Sequence, residues 1–287
     1  RGQLLVAELA GVPVGLQHTS YPAPDEAWCQ GLRVDPAFRG KGVARALFTV
    51  GIDLDDVRIA LELADRFEQV YASVGFHPHN AKAIGDNSLS EMEKYAQHPK
   101  VVGYGEIGLD FFRNRSPRDA QIGAFRDQLI LAKKLEKPVV IHLRDAYDEG
   151  LHMLEQEAPF ERGGVIHCFS GAEADARRAL ELGFHISIPG TVTYKKNDQL
   201  RGIVKNLPIE RILLETDCPF LTPEPFRGRD NEPAYIVYTA KRVAEVRGIA
   251  MAEIAAATSE NALRLFRLPP FLLENKSAKK PSPSSLQ

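Results

Sequence analysis

From residue 53 onward, the hydrophobic positions of the chain alternate between a helical spacing and short continuous runs. A helical stripe follows Asp53, a suitable N-cap, and a second amphipathic stripe spans residues 197–207. The first stripe consists of Leu54, Val57, Leu61 and Ala64, and the second of Leu200, Ile203, Val204 and Leu207. The apolar runs between such helices lie at 69–79, 101–110, 138–145, 164–171, 185–192 and 211–220. Short continuous runs of this kind predict buried strands.

Strands that alternate with amphipathic helices predict a parallel sheet covered by helices. Six strands, with a partial one in "FTVGID", predict an α/β fold: a TIM-type (β/α)₈ barrel that lacks its usual first strand. We expect the barrel to span residues 49–268 and a segment of different character to occupy residues 1–48. Residues 269–287 are rich in Ser, Pro and Lys and are predicted to form a disordered tail.

The composition indicates the environment in which the protein works more than any reaction that it could catalyse. The net charge of −2 gives no global basic footprint, so any nucleic acid must be held by a local patch. The three cysteines form no CxxC pair, which argues against a disulfide framework or a thiolate zinc site and favours the reducing cytoplasm. No apolar run approaches the roughly 20 residues of a membrane span and no leader is recognisable, so a soluble protein is predicted.

Polar side chains follow nearly every predicted strand, where a buried strand has no structural need for them. They are His77, His79, Glu106, Asp110, His142, Asp145, His167, Glu215 and Asp217. The carboxyl ends of parallel barrel strands converge on one face, so these groups are expected to meet there. Imidazoles and carboxylates together are typical ligands of a divalent metal, and we predict that Glu106, His142, His167 and Asp217 bind one. Asp110 and Asp145 are expected to cap helices or to orient the ligands.

Five motifs in this order resemble the TatD family of metal-dependent hydrolases: "VGFHPH", "GEIGLD", "VIHLRDA", "HCFSG" and "ETDCPFLTP". The resemblance covers about residues 49–268 and implies a phosphodiesterase that depends on magnesium, manganese or zinc. Members are usually deoxyribonucleases with 3′-5′ exonuclease action on single-stranded DNA or 3′ ends, and some are proposed to deacylate mischarged tRNA.

The same resemblance implies roles for individual residues. Glu106 would bridge two metal ions, and His142 and His167 would complete one of them. Asp217 would bind the other and help to activate water, so Asp217 and Glu106 are the expected catalytic pair. A supporting or phosphate-binding role is expected for His77, His79 and Glu215.

The sequence departs from the family at its beginning. The family opens with a strand that ends in His-x-His, and here the only such spacing, His77 and His79, belongs to the later "FHPH" motif. Without two of its imidazoles, the first metal site keeps only Glu106 and Asp217. We therefore expect one tightly bound ion, with one or two as the possible range, and an impaired activity.

Residues 1–48 resemble part of a GNAT acetyltransferase. "LLVAELAGVPVGLQ" predicts a hairpin, and Arg39, Gly40 and Gly42 are similar to the loop that binds the pyrophosphate of acetyl-CoA. The resemblance ends near Phe48, before the rest of that fold, which makes a fusion or a rearranged gene the simplest account.

Three functions therefore compete: an active metal phosphoesterase, a barrel relic that still binds one metal, and a remnant acetyltransferase. Basic residues on the loops after the strands favour the first, because they suit a phosphate backbone. They are Arg113, Arg115, Arg118, Lys195, Lys196, Arg227 and Arg229.

Overall fold

The computed structural model describes residues 47–68 and 70–269, together with four two-residue strands near the start of the chain. Those four are β1 (Gly2–Gln3), β2 (Glu8–Leu9), β3 (Val12–Pro13) and β4 (Thr19–Ser20). Strand β1 pairs antiparallel with β4, and β2 pairs antiparallel with β3. The β2–β3 pair lies within the hairpin predicted from "LLVAELAGVPVGLQ".

Seven further strands form the body of the molecule, and helices separate most of them. The strands are β5 (Leu47–Gly51), β6 (Val70–Val74), β7 (Val101–Asp110), β8 (Val139–Arg144), β9 (Gly164–His167), β10 (His185–Ile188) and β11 (Ile212–Leu214). The helices are α1 (Leu54–Arg66), α2 (Ser88–Ala96), α3 (Arg118–Lys134), α4 (Tyr147–Glu157), α5 (Glu173–Glu181), α6 (Asp198–Asn206), α7 (Ile236–Arg247) and α8 (Met251–Phe266).

All seven strands are parallel and their order in the sheet follows the chain from β5 to β11. This confirms the predicted α/β architecture of seven strands, including "FTVGI", which pairs with β6 from Leu47↔Val70 to Gly51↔Val74. Within the described residues the sheet is a half-barrel: β5 and β11 are its edges and do not pair with each other. Several strands are shorter than their apolar runs, because the polar residues after each strand belong to turns.

Two apolar layers hold the sheet in place. The outer face packs against the helices, and buried Val57, Leu61 and Ala64 confirm the predicted stripe of α1. The inner face brings residues of both edge strands, Phe48 and Leu213, into one cluster with the end of α8. The Phe48 and Phe266 rings lie 4.5 Å apart, so α8 fills the inner face at the end remote from the strand termini that carry polar groups.

A local signal in the sequence explains where helix α1 begins. Asp53 caps α1, because its Oδ1 accepts a hydrogen bond from the Asp56 backbone N–H at 2.9 Å. The capping role considered for Asp145 is wrong: α4 begins at Tyr147 behind Ala146, without a side-chain cap. None of the helices in the described part of the chain is long and apolar enough to cross a membrane.

Candidate metal centre

The polar side chains at the carboxyl ends of the parallel strands form one face of the sheet, which we call the polar face. Glu106 lies at its centre because strand β7 is irregular there. The β7–β8 register shifts between Tyr104 and Ile107, and Gly105 within the shift has φ 145°. A Cβ on Gly105 would lie 2.3 Å from the Val140 carbonyl oxygen, so only glycine permits this approach of the two strands. The shift directs the buried carboxylate of Glu106 toward the histidines of the following strands.

The structure brings the four predicted ligands together. Glu106 Oε1 lies 2.7 Å from His142 Nδ1 and 3.5 Å from His167 Nε2. His167 Nε2 also lies 3.7 Å from Asp217 Oδ1. One imidazole nitrogen therefore faces two carboxylates, one from strand β7 and one from the turn that follows β11.

His167 is held in one orientation from behind. Its Nδ1 lies 2.8 Å from Glu215 Oε2, which also accepts a hydrogen bond from Ser187 Oγ at 2.7 Å. Glu215 therefore keeps a proton on Nδ1, so that in the neutral ring the lone pair of Nε2 would be directed toward the space beside Glu106 and Asp217. A metal-binding imidazole usually donates its other ring N–H to a carboxylate in this way. This fits the supporting role predicted for Glu215, which is fully buried.

His79 and Asp110 form a second polar pair beside the first. His79 Nε2 lies 2.8 Å from Asp110 Oδ2, and His142 Nε2 lies 3.4 Å from the same oxygen. Asp110 Oδ1 accepts a hydrogen bond from the Arg113 backbone N–H at 2.7 Å. Asp110 thus closes a turn and lies beside two histidines at once.

His77 is close to Glu106 but is poorly prepared to bind a metal. Its Nδ1 accepts a hydrogen bond from the backbone N–H of His79 at 3.1 Å, which leaves the proton of the neutral ring on Nε2. That Nε2 lies 3.6 Å from Glu106 Oε1. Burial lowers the pKa of His77 to about 4, so the neutral form persists at physiological pH. His77 is suited to donate a proton in a hydrogen bond to Glu106 or to a phosphate oxygen.

Asp217 lies in a turn that the backbone adopts only under constraint. Its φ is 55°, in the left-handed region that a residue with a side chain rarely enters, and Cys168 beside it has φ 49°. Burial, with repulsion from Glu215 and Glu106, raises the pKa of Asp217 to about 7. A carboxylate with this pKa can accept a proton near neutral pH.

When no cation is bound, His142 and His167 are protonated and carry positive charge. Burial alone would lower the pKa of His167, but the carboxylates of Glu215 and Glu106 outweigh it and raise that pKa to about 10. Asp110 and Glu106 likewise overcome burial and raise the pKa of His142 to about 9. The same contacts hold the pKa of Glu106 well below its usual range. The buried carboxylates therefore need positive charge, which protons or a metal ion can supply.

The spacing of these atoms fits a divalent ion. Ligand arms of about 2.1 Å place neighbouring ligand atoms about 3.0–3.4 Å apart. The 3.5 Å between Glu106 Oε1 and His167 Nε2 is close to this, and His142 Nε2 is a buried nitrogen without a hydrogen-bond partner in the described chain. Burial raises the pKa of the Cys168 thiol well above its usual value, so this thiol is protonated when no cation is bound. Glu106, His142, His167 and Asp217 are the residues suited to hold the ion.

Two buried glutamines of α3 fix the loops of this face, and the sequence analysis missed both. Gln128 accepts from the Phe76 backbone N–H at 2.7 Å and donates to its carbonyl at 3.0 Å, which clamps the "FHPH" loop. Gln121 accepts from the Asp110 backbone N–H at 2.8 Å. Both lie on the buried stripe of α3 with Phe125, and an amide on an apolar stripe is the signal that could have found them.

The remaining predicted residues fall into two groups. The basic residues of the loops are exposed: Arg113, Arg115, Arg118, Lys195, Lys196, Arg227 and Arg229. The expected pyrophosphate loop, Arg39, Gly40 and Gly42, lies outside the described residues, as does the predicted tail from residue 270 onward.

Comparison with known proteins identifies relatives over most of the chain. The family model described as TatD related DNase matches residues 31–267 and so begins inside the segment assigned to 1–48. The metal-dependent hydrolase YabD of Bacillus subtilis is 40% identical over 77% of this chain and 87% of its own length. The 3′-5′ ssDNA/RNA exonuclease TatD of Cronobacter sakazakii is 38% identical over 79% of this chain and 88% of its own.

A solved structure agrees with these matches. The crystal structure of YJJV, a TatD homolog from Escherichia coli K12, superposes with a TM-score of 0.76 and 31% identity over 80% of this chain and 89% of that one. The acetyltransferase resemblance of residues 1–48 finds no support in these matches. The chain belongs to the TatD family of metal-dependent hydrolases.

Proposed function

We propose that this protein is a metal-dependent phosphodiesterase that removes nucleotides from the 3′ end of single-stranded DNA, with one divalent ion at Glu106, His142 and His167. The observation that carries the proposal is the position of His167 Nε2, 3.5 Å from Glu106 and 3.7 Å from Asp217, with Nδ1 held by Glu215. The name of the Cronobacter relative, a 3′-5′ ssDNA/RNA exonuclease, supports this substrate class.

The ion, when bound, lowers the pKa of a water molecule toward neutrality and offsets charge on the attacked phosphoryl group. The protein supplies the rest. Asp217 Oδ1 would accept the proton of the attacking water as the P–O bond to the leaving oxygen breaks, and the leaving oxygen would take up a proton from solvent. The raised pKa of Asp217, about 7, suits it to this role. His77 Nε2–H donates a hydrogen bond to a phosphate oxygen, and Glu215 keeps Nε2 of His167 directed into the site.

The missing His-x-His motif bears on the number of ions. Asp217 faces His167 rather than a second imidazole pair among the described residues, so it serves the same ion as Glu106. Glu106, His142 and His167 would then hold a single magnesium, manganese or zinc ion, which would have to supply both the activated water and the charge stabilisation of a two-metal site, and a slower reaction is expected.

A barrel relic that binds metal without cleaving diesters is the alternative. The position of Asp217 favours the active enzyme, because its Oδ1, 3.7 Å from His167 Nε2, is close enough to accept a proton from a water molecule held beside the ligands.

The test measures metal content and hydrolysis of bis(p-nitrophenyl) phosphate in the same preparations. We expect about one ion per chain, loss of the ion in His142→Ala and His167→Ala, and manganese-stimulated hydrolysis in the unmodified protein. Exposed His152→Ala is the matched control and should keep both properties. Unchanged metal content in both site variants would refute the ligand assignment, and a bound ion without hydrolysis would favour the relic.

A further inference from the structure

Two exposed aromatic rings lie on turns that begin at residues of the metal centre. Among the described residues the large hydrophobic side chains that are most exposed are Phe112 (56%), Ile130 (52%) and Phe220 (51%). Phe112 follows Asp110 at the end of β7, and Phe220 follows Asp217 after β11. Both rings are therefore available to a ligand that approaches the metal centre, and an aromatic ring offers such a ligand a flat stacking surface.

Hydrogen bonds close both turns. The turn with Phe112 is closed by Asp110, which accepts from the Arg113 backbone N–H at 2.7 Å. The turn with Phe220 is closed by its backbone N–H, which donates to the Asp217 carbonyl at 2.9 Å, and by buried Asn231, which donates to the Phe220 carbonyl at 2.6 Å. The carboxylate of Asp110 and the backbone carbonyl of Asp217 therefore fix where the two rings emerge.

An arginine is stacked on the first ring. The Arg144 guanidinium carbon lies 4.1 Å from the centre of the Phe112 ring, and the Arg144 carbonyl accepts from the Phe111 backbone N–H at 2.9 Å. Residues 111–118 contain three arginines and no acidic residue. On the far side of the face, Arg227 stacks on Tyr194 at 4.3 Å, and a hydrogen bond of 2.9 Å from the Glu224 backbone N–H to Thr193 joins their loops.

We propose that Phe112, backed by Arg144, and Phe220 form a base-stacking platform on which single-stranded nucleic acid lies as it enters the metal centre. The platform deepens the function proposed above and rests on it for the direction of the strand. An aromatic face paired with arginine matches single-stranded nucleic acid, whose bases stack on rings while its phosphates pair with guanidinium groups. An apolar peptide would leave the cluster of arginines without counter-charges.

Two single-stranded probes with the same number of phosphates separate the contribution of base stacking to the binding affinity from that of charge. One is a fluorescent dT 12-mer and the other an abasic 12-mer, both with phosphorothioate linkages so that they stay intact. Fluorescence anisotropy with the full chain should give at least tenfold tighter binding of the dT strand. Phe112→Leu and Phe220→Leu should each lose about tenfold for the dT strand and nothing for the abasic strand.

Three further variants serve as controls. Ile130→Ala removes an equally exposed apolar side chain from α3 and should change neither affinity. Phe112→Tyr keeps the ring and should bind like the unmodified protein, which shows that a loss in Phe112→Leu is not misfolding. Arg144→Lys keeps the charge but loses the planar stack, and should reduce the preference for dT over the abasic strand.

The outcomes distinguish this proposal from the previous one. Equal affinity for the dT and abasic strands, or a preference that survives both Phe→Leu variants, overturns the platform. If bis(p-nitrophenyl) phosphate is still hydrolysed in that case, the phosphodiesterase stands without it. If the preference for bases is found but no diester is hydrolysed, the platform stands and the proposed reaction falls.

Discussion

Replacement of Glu215 by glutamine tests how the metal centre is organised. Glu215 is fully buried, and its Oε2 accepts hydrogen bonds from both His167 Nδ1 and Ser187 Oγ. Glutamine keeps the size and one acceptor but removes the negative charge that makes His167 more basic. We expect the variant to fold and to bind its ion more weakly.

The expected loss is about 10- to 100-fold in metal affinity, the usual effect of removing a carboxylate behind a ligating histidine. This corresponds to about 1.4–2.7 kcal/mol. Ser187→Ala is the matched control, since it removes the other hydrogen bond of the same carboxylate and keeps its charge. It should lose less than about threefold.

The assay is competition for Zn²⁺ or Mn²⁺ against a fluorescent chelator, with circular dichroism to establish that each variant is folded. If Glu215→Gln binds metal as tightly as the unmodified protein, then His167 does not depend on Glu215 for its orientation, and the reasoning is refuted. Equal losses in both variants would show that packing, and not charge, is responsible.

Two further predictions concern stability. Gln128→Ala leaves the buried backbone N–H and carbonyl of Phe76 without partners, so urea denaturation should show a free energy of unfolding lower by about 2–4 kcal/mol. The exposed control Arg126→Ala should change it little, and equal denaturation midpoints for the two variants would contradict the clamp. Burial, reinforced by Arg211, lowers the pKa of His185 from 6.5 to about 4. The unfolded chain alone takes up this proton as the pH falls from 6.5 to 4, so stability should fall by about 3 kcal/mol over that window, and an equal fall in His185→Gln would exclude this source.

The sequence is most informative where one residue has one task. The order of strands and helices follows from hydrophobic spacing, and the four expected ligands meet because the ends of parallel strands must converge. Asp53 caps α1 as predicted, since an N-cap depends only on its own turn.

What the sequence could not predict depends on contacts between distant segments. The shift at Gly105 that directs Glu106, and the glutamine clamps of α3, require knowledge of which backbone lies opposite. The tautomer that turns His77 away from metal binding is set by a backbone N–H two residues away and has no signature in composition. Within the described residues β5 forms one edge of the sheet, and a local pattern does not show which strands lie at the edges.

Cleavage of single-stranded DNA by Asp217→Asn beside the unmodified protein tests the central claim most directly. With a 5′-labelled oligonucleotide and Mn²⁺, the account predicts slow, stepwise shortening from the 3′ end, reversed by a chelator and reduced by rising salt as phosphate contacts are screened. Asp217→Asn keeps the shape of the turn but cannot accept the proton of water, and should reduce the rate by at least about 100-fold. Shortening that persists in chelator, or that Asp217→Asn leaves unchanged, would contradict a single-ion phosphodiesterase with Asp217 as its base.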